Sequence, residues 1–390
     1  MASLSDNAQV IHQLRSVEII QNWKAGKESW CCAWSDDGTY FAWSKGQRQL
    51  ALIPWNNDKN CPINVNNTDE NNQIIRRKSE TTIDAGDLIW SLAFGSNKIK
   101  KDLVLAIGLQ FGRIRIWKVD TATAVLDLVD HTNIVRSLCF APDGSMRLLS
   151  CGRDCLLKFW QVNDYGNMFK TIKVKGPSWL YSCAWSPDAT AIAVTGKSRY
   201  AELFDGKTYN KIARLEGHHH DVVSSHFSPD SQFLATASYD STVIIWHVQC
   251  ATKLRDFGHL FPMPSAIYAA GENDAFVRGV SYSQDGVHVA SVADDGYVRF
   301  WNIESDIDVP QSIASLSHIL CCSFSPNGRV LAVGDRYGTV SFVESPVQIP
   351  TLQHLSRCTT LKYTAVEDIV KLPLPFRLKN YLNFVVSTSA

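Results

Sequence analysis

The 390 residues are 45% hydrophobic, enough to bury a large core as one architecture or as two or three ordinary domains. Lysine plus arginine number 38 and aspartate plus glutamate also 38, so the net charge offers nothing to nucleic acid or to an anionic membrane. No apolar run approaches the ~18 residues of a membrane-spanning helix. The eleven cysteines are odd in number and mostly sit in apolar, strand-like runs, which reads as reduced thiols in an intracellular compartment, cytosol or nucleus.

In chain order, residues 1–15 read as an N-terminal tail without the basic flank and apolar stretch of a secretory signal. Val17-Glu-Ile-Ile-Gln-Asn-Trp23 reads as a strand. One theme then recurs seven times: an apolar strand ending in an aromatic, a Ser-Pro-Asp-Gly turn or a relative, a small-residue strand, a turn, and a strand ending in Trp, replaced by Phe204 in the fourth copy and Val343 in the seventh. The first aromatics are Trp34, Phe94, Phe140, Trp185, Phe227, Tyr282 and Phe324. Segments such as Phe233–Ser238 and Thr242–Trp246 are too short for helices and rich in small or β-branched residues, so they are strands. Proline fixes φ in the turns, and glycine or asparagine accepts positive φ there.

The common spacing of 42–46 residues fits a four-stranded unit, and two longer intervals hold insertions. Residues 56–80 are polar and asparagine-rich, a mobile loop by composition. Residues 257–273, with Phe257-Gly-His-Leu-Phe-Pro262, are apolar and proline-bearing, either a loop packed on the rim or a recognition element. The seventh unit ends almost at Val343 and lacks its outermost strand. Val17–Trp23 is the expected substitute, leaving no sheet edge open.

The tail, residues 346–390, changes character. Leu352, Leu355, Cys358 and Leu361 recur on one helical face, a second helical run ends before Leu372-Pro373-Leu374-Pro375, and a third could use Leu378, Leu382 and Phe384. Three short helices cannot bury their own faces and need the β-structure or a partner.

Residues that suggest chemistry are few. His218-His219-His220-Asp221 lies in an extended run whose side chains alternate in direction, so it does not converge on a metal. Cys151 and Cys155 lack a second ligand pair at zinc-like spacing. Nucleophile-elbow, phosphate-loop and zinc-protease motifs are missing, so no catalytic residue, metal or cofactor is expected. An enzyme built on this fold would need a convergent acid/base or metal cluster.

Residues 16–345 resemble the WD-repeat β-propellers, whose stabilising network joins a histidine, a serine or threonine, an aspartate and the tryptophan. Repeat five supplies His218, Thr236 or Ser238, Asp240 and Trp246, and repeat three supplies His131, Ser150, Asp154 and Trp160. Repeat six has Asp295 and Trp301, with Asn273 in the histidine's place. Repeats one, two, four and seven depart from the pattern and are expected to lean on packing. Four residues before each first aromatic stand Trp30, Trp90, Arg136, Tyr181, Val223, Arg278 and Leu320, at the start of the innermost strand near the mouth of a propeller's channel. Trp30, Trp90, Arg136, Tyr181 and Arg278 are residue types that dominate interface hot spots. They form the candidate client-binding face, for a segment that is acidic or phosphorylated near Arg136 and Arg278. Alternatively, some of these rings only pack between blades.

The tail resembles a SOCS box, and the whole chain resembles the WD-repeat and SOCS-box-containing (WSB) protein family. Gly217-His-His-His-Asp-Val-Val223, Phe257-Gly-His-Leu-Phe-Pro262 and Leu352-Gln-His-Leu355 carry that match beside the repeats. The fold it implies is all-β, a seven-bladed WD-repeat propeller with a small C-terminal helical segment. The implied function is client recognition for an elongin B/C–cullin–RING ubiquitin ligase, with ubiquitin transfer left to partner enzymes. The helix carrying Leu352, Leu355, Ser356, Thr360 and Leu361 would dock elongin C, itself paired with elongin B. Leu372, Pro373, Leu374 and Pro375 would favour cullin-5 with its RING partner. The family's helix usually has a cysteine and an aliphatic residue where this chain has Ser356 and Thr360. An unpaired buried hydroxyl costs roughly 1–3 kcal/mol, so weaker elongin binding is expected. Cys358 and Leu361 could compensate through a rotated helix. The rival reading is a WD-repeat scaffold outside any ligase, its tail capping the propeller.

Overall fold

A computed structural model describes residues 8–15, 28–46, 48–63, 80–97, 102–163, 165–176, 178–259, 276–305 and 308–346. In the tail it describes 351–352, 356, 359–360, 371–375, 378–379 and 382. The fold class is all-β: seven antiparallel sheets, the blades of a seven-bladed WD-repeat propeller. The chain divides into two compact units. One comprises Gln9–Leu180 and His318–Glu344, and the other Met1–Ala8, Tyr181–Ser317 and Ser345–Ala390.

Each sheet repeats one arrangement, which the fifth illustrates. Val222–Phe227, Phe233–Ser238, Thr242–His247 and Thr252–Gly258 pair in sequence order. Its second strand is buried at every position, because small and branched residues are covered on both faces, whereas the fourth shows the broken pattern of an edge. The Ser-Pro-Asp turn is closed by side chains: the Phe233 amide donates to Ser228 Oγ at 2.9 Å and the Gln232 amide to Asp230 Oδ1 at 3.1 Å. Gly144 (φ 78°) and Gly286 (φ 72°) take the left-handed position in their turns, where repeat five has Ser231 (φ 64°).

The first unit holds four sheets. Its seventh blade corrects the expected seam. The strand completing Ile319–Phe324, Val330–Asp335 and Thr339–Glu344 is Val10–Arg15, paired antiparallel from Val10↔Val343 to Arg15↔Thr339. Residues 1–15 are therefore not a plain tail, and Val17–Trp23 lies outside the described residues. Half-buried Ile11 and Leu14 pack on the cluster of Trp34, Phe41, Trp55 and Phe342. A bulge between Val10 and His12 breaks simple alternation, which is why this strand was not readable from the sequence. Of the 56–80 insertion, Cys61–Pro62 extends the first blade by pairing with Trp55 and Asn56, and residues 64–79 lie outside the described residues.

In repeat three, Trp160 Nε1–H donates to Ser150 Oγ at 2.8 Å, Ser150 Oγ meets His131 Nε2 at 2.7 Å, and His131 Nδ1 meets Asp154 Oδ2 at 2.7 Å. A carboxylate only accepts, so Nδ1 carries the proton and Nε2 accepts from the serine hydroxyl. Repeat five reproduces this through Trp246, Thr236, His218 and Asp240, at 2.8, 2.8 and 2.9 Å. Thr236, not Ser238, is the hydroxyl; Ser238 Oγ instead accepts the Asp240 amide. Blades one and two lack such partners. The indole N–H groups of Trp55 and Trp117 have no acceptor among the described residues, and Trp55 is held by rings, 4.7 Å from Trp34 and 4.8 Å from Phe342 between centroids.

Repeat six, in the other unit, corrects a second expectation. Its histidine is His259, at the end of the preceding blade and ahead of the insertion; Asn273 lies outside the described residues. Trp301 Nε1–H donates to Ser291 Oγ at 2.7 Å, and Ser291 Oγ lies 2.8 Å from His259 Nε2. The insertion separates the histidine from its blade, which is why the sequence alone put Asn273 in its place. Phe257 is buried and stacks on Trp301 (5.0 Å, 20°), while residues 260–273 lie outside the described residues.

Candidate interaction surfaces

Three of the candidate client residues, Trp90, Arg136 and Arg278, share a backbone feature. In the sheets begun by Ile89, Val135, Val222, Val277 and Ile319, pairing slips between the first and third residues of the first strand. The residue skipped in each case is Trp90, Arg136, Val223, Arg278 or Leu320. A bulge leaves that residue out of the ladder and re-aims its side chain, a device common beside binding sites. The repeat thus builds one variable position on a constant backbone.

In the first unit two of these residues, Trp90 and Arg136, meet Trp30. The Trp30 and Trp90 rings lie 4.9 Å apart, and the Arg136 guanidinium lies 5.7 Å from Trp30 and 5.0 Å from Trp90. Sequence reasoning missed two members. Arg153 sits 5.7 Å from Trp90 and 4.7 Å from Trp179, continuing an alternating tryptophan–arginine ladder. Trp30, Trp90, Arg136, Arg153 and Trp179 are all half-buried. Trp90 Nε1–H donates to Gln110 Oε1 at 2.9 Å. Each cation–π contact contributes about 0.5–1 kcal/mol at an exposed site and more when desolvated.

Gln110 and Arg153 are themselves repeat-equivalent. Each immediately follows the second strand and donates its amide to the carbonyl two residues before the bulged one, Leu88 and Ile134; Tyr239, Asp294 and Arg336 do the same with Asp221, Phe276 and His318. Aligning the copies on the end of the second strand would have found them.

Arg278, in the other unit, is differently placed. Its Nε donates to Asp294 Oδ1 at 2.8 Å, Nη2 to Asp294 Oδ2 at 2.6 Å and Nη1 to Tyr239 Oη at 2.9 Å. This bidentate pairing engages the face of the Arg278 guanidinium that an acidic segment would otherwise use, and leaves further N–H groups to offer. Tyr181 is half-buried near the start of Leu180–Trp185.

The apparent metal motifs separate. His218 is engaged by Asp240, while His220 Nδ1 accepts the Asp221 amide. Cys151 is buried, and Cys155 Sγ donates to the Ser178 carbonyl at 2.7 Å. Among the described residues no group of three metal-ligating side chains converges. Burial pushes the Cys31 and Cys322 thiols up, and the hydrogen bond with Cys321 together with burial does the same to Cys32, so these groups stay protonated. The ten described cysteines are free.

In the tail, Leu352, Ser356, Thr359 and Thr360 are helical, and Leu352 is 82% exposed. Thr360 Oγ1–H donates to the Ser356 carbonyl at 2.9 Å, so this hydroxyl already has a partner within its helix. Leu355 and Leu361 lie outside the described residues. Pro373 and Pro375 are exposed, whereas Leu372 and Leu374 are half-buried.

The model for the WD domain, G-beta repeat, matches residues 123–161, 209–247, 266–302 and 310–342, and the SOCS box model matches 348–383. WD repeat and SOCS box-containing protein 1 of Homo sapiens is 44% identical over 393 aligned residues, spanning 93% of this chain and 92% of that protein. The Mus musculus and Danio rerio proteins of that name are each 43% identical over the same shares. The chain belongs to the WD repeat and SOCS box-containing family. This family's pairing of WD repeats with a SOCS box is the architecture of an adaptor of cullin–RING ligases. The matched sixth repeat begins at residue 266, downstream of His259, so the family model is also blind to the histidine that the insertion displaces.

Proposed function

We propose that this chain is the client-recognition subunit of an elongin B/C–cullin–RING ubiquitin ligase, acting in the cytosol or nucleus without chemistry of its own. The observation that carries the reading is the SOCS box match at 348–383 behind WD repeats, in a chain 44% identical to a WD repeat and SOCS box-containing protein over nearly its whole length. The helix bearing Leu352 docks elongin C, and the segment around Pro373 and Pro375 faces cullin-5. The Trp30–Trp90–Arg136–Arg153–Trp179 ladder receives the client. Rigid aromatic and guanidinium planes supply contact area at low entropic cost, and the arginines favour an acidic segment. Leu352 is 82% exposed, so Leu352→Asp should leave the fold unchanged and abolish copurification with co-expressed elongins B and C. Failure of the wild-type chain to copurify would remove the ligase reading.

A second reading, the tail as a cap on the propeller, is favoured by Leu382, which is 7% exposed within a propeller core cluster. The capping contact and elongin docking can coexist, since the capping residues and Leu352 are different parts of the tail. The scaffold outside any ligase is therefore separated from the ligase subunit by the elongin copurification rather than by the cap.

A further inference from the structure

Leu372 and Leu374 belong to the motif that family resemblance gives to cullin, yet their side chains turn inward. Both pack against a buried cluster drawn from the fifth and sixth blades: Phe233, Phe257, Tyr282, Trp301 and others. Leu382, ten residues after Leu372, is a full member of that cluster. Between them the backbone turns back, with the Leu378 amide donating to the Pro375 carbonyl at 3.0 Å and the Lys379 amide to the same oxygen at 3.1 Å. The start of the tail touches the same blade independently: the Thr351 amide and hydroxyl approach Glu304 Oε1 at 3.3 and 3.4 Å, just beyond Trp301.

We propose that the fifth and sixth blades form a docking site for the chain's own SOCS box, with Leu382 as the anchor and Leu372 and Leu374 as its flank. The Leu-Pro-Leu-Pro motif then has two faces. Its leucines grip the propeller, and its exposed prolines are left for a partner. Burying leucine side chains is favourable in proportion to the apolar area removed from water, and it holds a short segment that could not fold alone. The SOCS box is therefore braced on the blades that hold it rather than tethered by a flexible linker. This brace stands whether or not elongins bind.

Hydrogen exchange on the full-length chain tests it, comparing wild type with Leu382→Asp and, at the half-buried flank, Leu374→Asp. The expected result is at least tenfold faster exchange at the Leu378 and Lys379 amides in both variants. Peptides covering Trp301 in blade six should also exchange faster in Leu382→Asp, while peptides from Val135–Gln161 keep their protection. Tail amides that exchange at the same rate in wild type and Leu374→Asp would overturn the brace, and so would tail amides already unprotected in wild type. Loss of protection at Val135–Gln161 in Leu382→Asp would mark that variant as unfolded, and Leu374→Asp would then decide. Elongin copurification, run in parallel, reports on the ligase reading separately, because loss of the brace leaves the Leu352 helix face intact.

Discussion

Arg299 Nη1–H donates to His259 Nδ1 at 3.1 Å, and the same guanidinium pairs with Asp295, Nη2 to Oδ2 at 2.5 Å. The arginine stands where repeats three and five bring histidine and aspartate together directly. A guanidinium only donates, so His259 Nδ1 must accept and Nε2 must carry the proton toward Ser291, the opposite tautomer from His131 and His218. Burial, and then the Arg299 charge, push the His259 pKa well below its ordinary value.

That neutral histidine makes the sixth blade acid-sensitive. The unfolded chain takes up a proton near pH ~6.5, and the folded chain does so only well below. The contribution is full above the unfolded pKa and is lost as pH falls from there toward the folded value. The slope approaches about 1.4 kcal/mol per pH unit. Urea midpoints measured from pH 7.5 to 5 should fall for wild type and fall less steeply for His259→Gln. His226 and His247, also lowered by burial, keep part of the slope in the variant. Equal slopes would refute the neutral assignment.

Ser291 accepts the Trp301 indole N–H and lies within bonding distance of His259. Ser291→Ala leaves two buried polar groups without that partner and should destabilise the chain by about 1–3 kcal/mol, read by chemical denaturation. Among the described residues the Trp55 N–H has no acceptor, so Trp55→Phe should forfeit only packing among its neighbouring rings. Restoring stability to Ser291→Ala with Trp301→Phe, more than additively, would show the hydrogen bond rather than volume at work.

Client binding should distinguish two arginines at equivalent bulges. Arg136 lies on Trp30 and Trp90, whereas Arg278 is held by both oxygens of Asp294. Arg136→Ala should weaken an acidic client about tenfold or more, and Arg278→Ala only a few-fold, measured by calorimetry at fixed salt. Equal losses would place the client elsewhere.

The seven blades were legible because the copies carry their own turn residues and, in all but the seventh, a terminal aromatic, so Trp160, Trp246 and Trp301 announced their strands. What failed did so where an element was borrowed from a distance. Val10–Arg15 pairs with a strand more than 320 positions away in the sequence, and a bulge blurs its alternation. His259 was hidden because its insertion falls inside the network rather than between repeats. The ladder was half legible: the bulged positions align by counting, but Arg153 and Trp179 require knowing where the second strand ends and the next sheet begins. The inward turn of Leu372 and Leu374 had no sequence signature, since the same leucines suit a partner's pocket equally well.

The two polar replacements on the helix proposed to dock elongin C should not be equivalent. Thr360 gives its hydroxyl proton to the Ser356 carbonyl, so burying it against a partner leaves no unsatisfied donor. Ser356 is exposed on the same helix, one turn nearer Leu352, where the family's helix usually carries cysteine. Burying a hydroxyl there costs roughly 1–3 kcal/mol if the partner's pocket is apolar, whereas cysteine behaves as a small hydrophobe. Ser356→Cys should therefore tighten elongin B/C binding by about five- to a hundredfold, and Thr360→Val by less than tenfold. Surface plasmon resonance with immobilised elongin B/C reads both. A larger gain from Thr360→Val than from Ser356→Cys would mean that the back-bonded hydroxyl is broken on binding and that the helix docks in a rotated register, with Cys358 and Leu361 as the contact face.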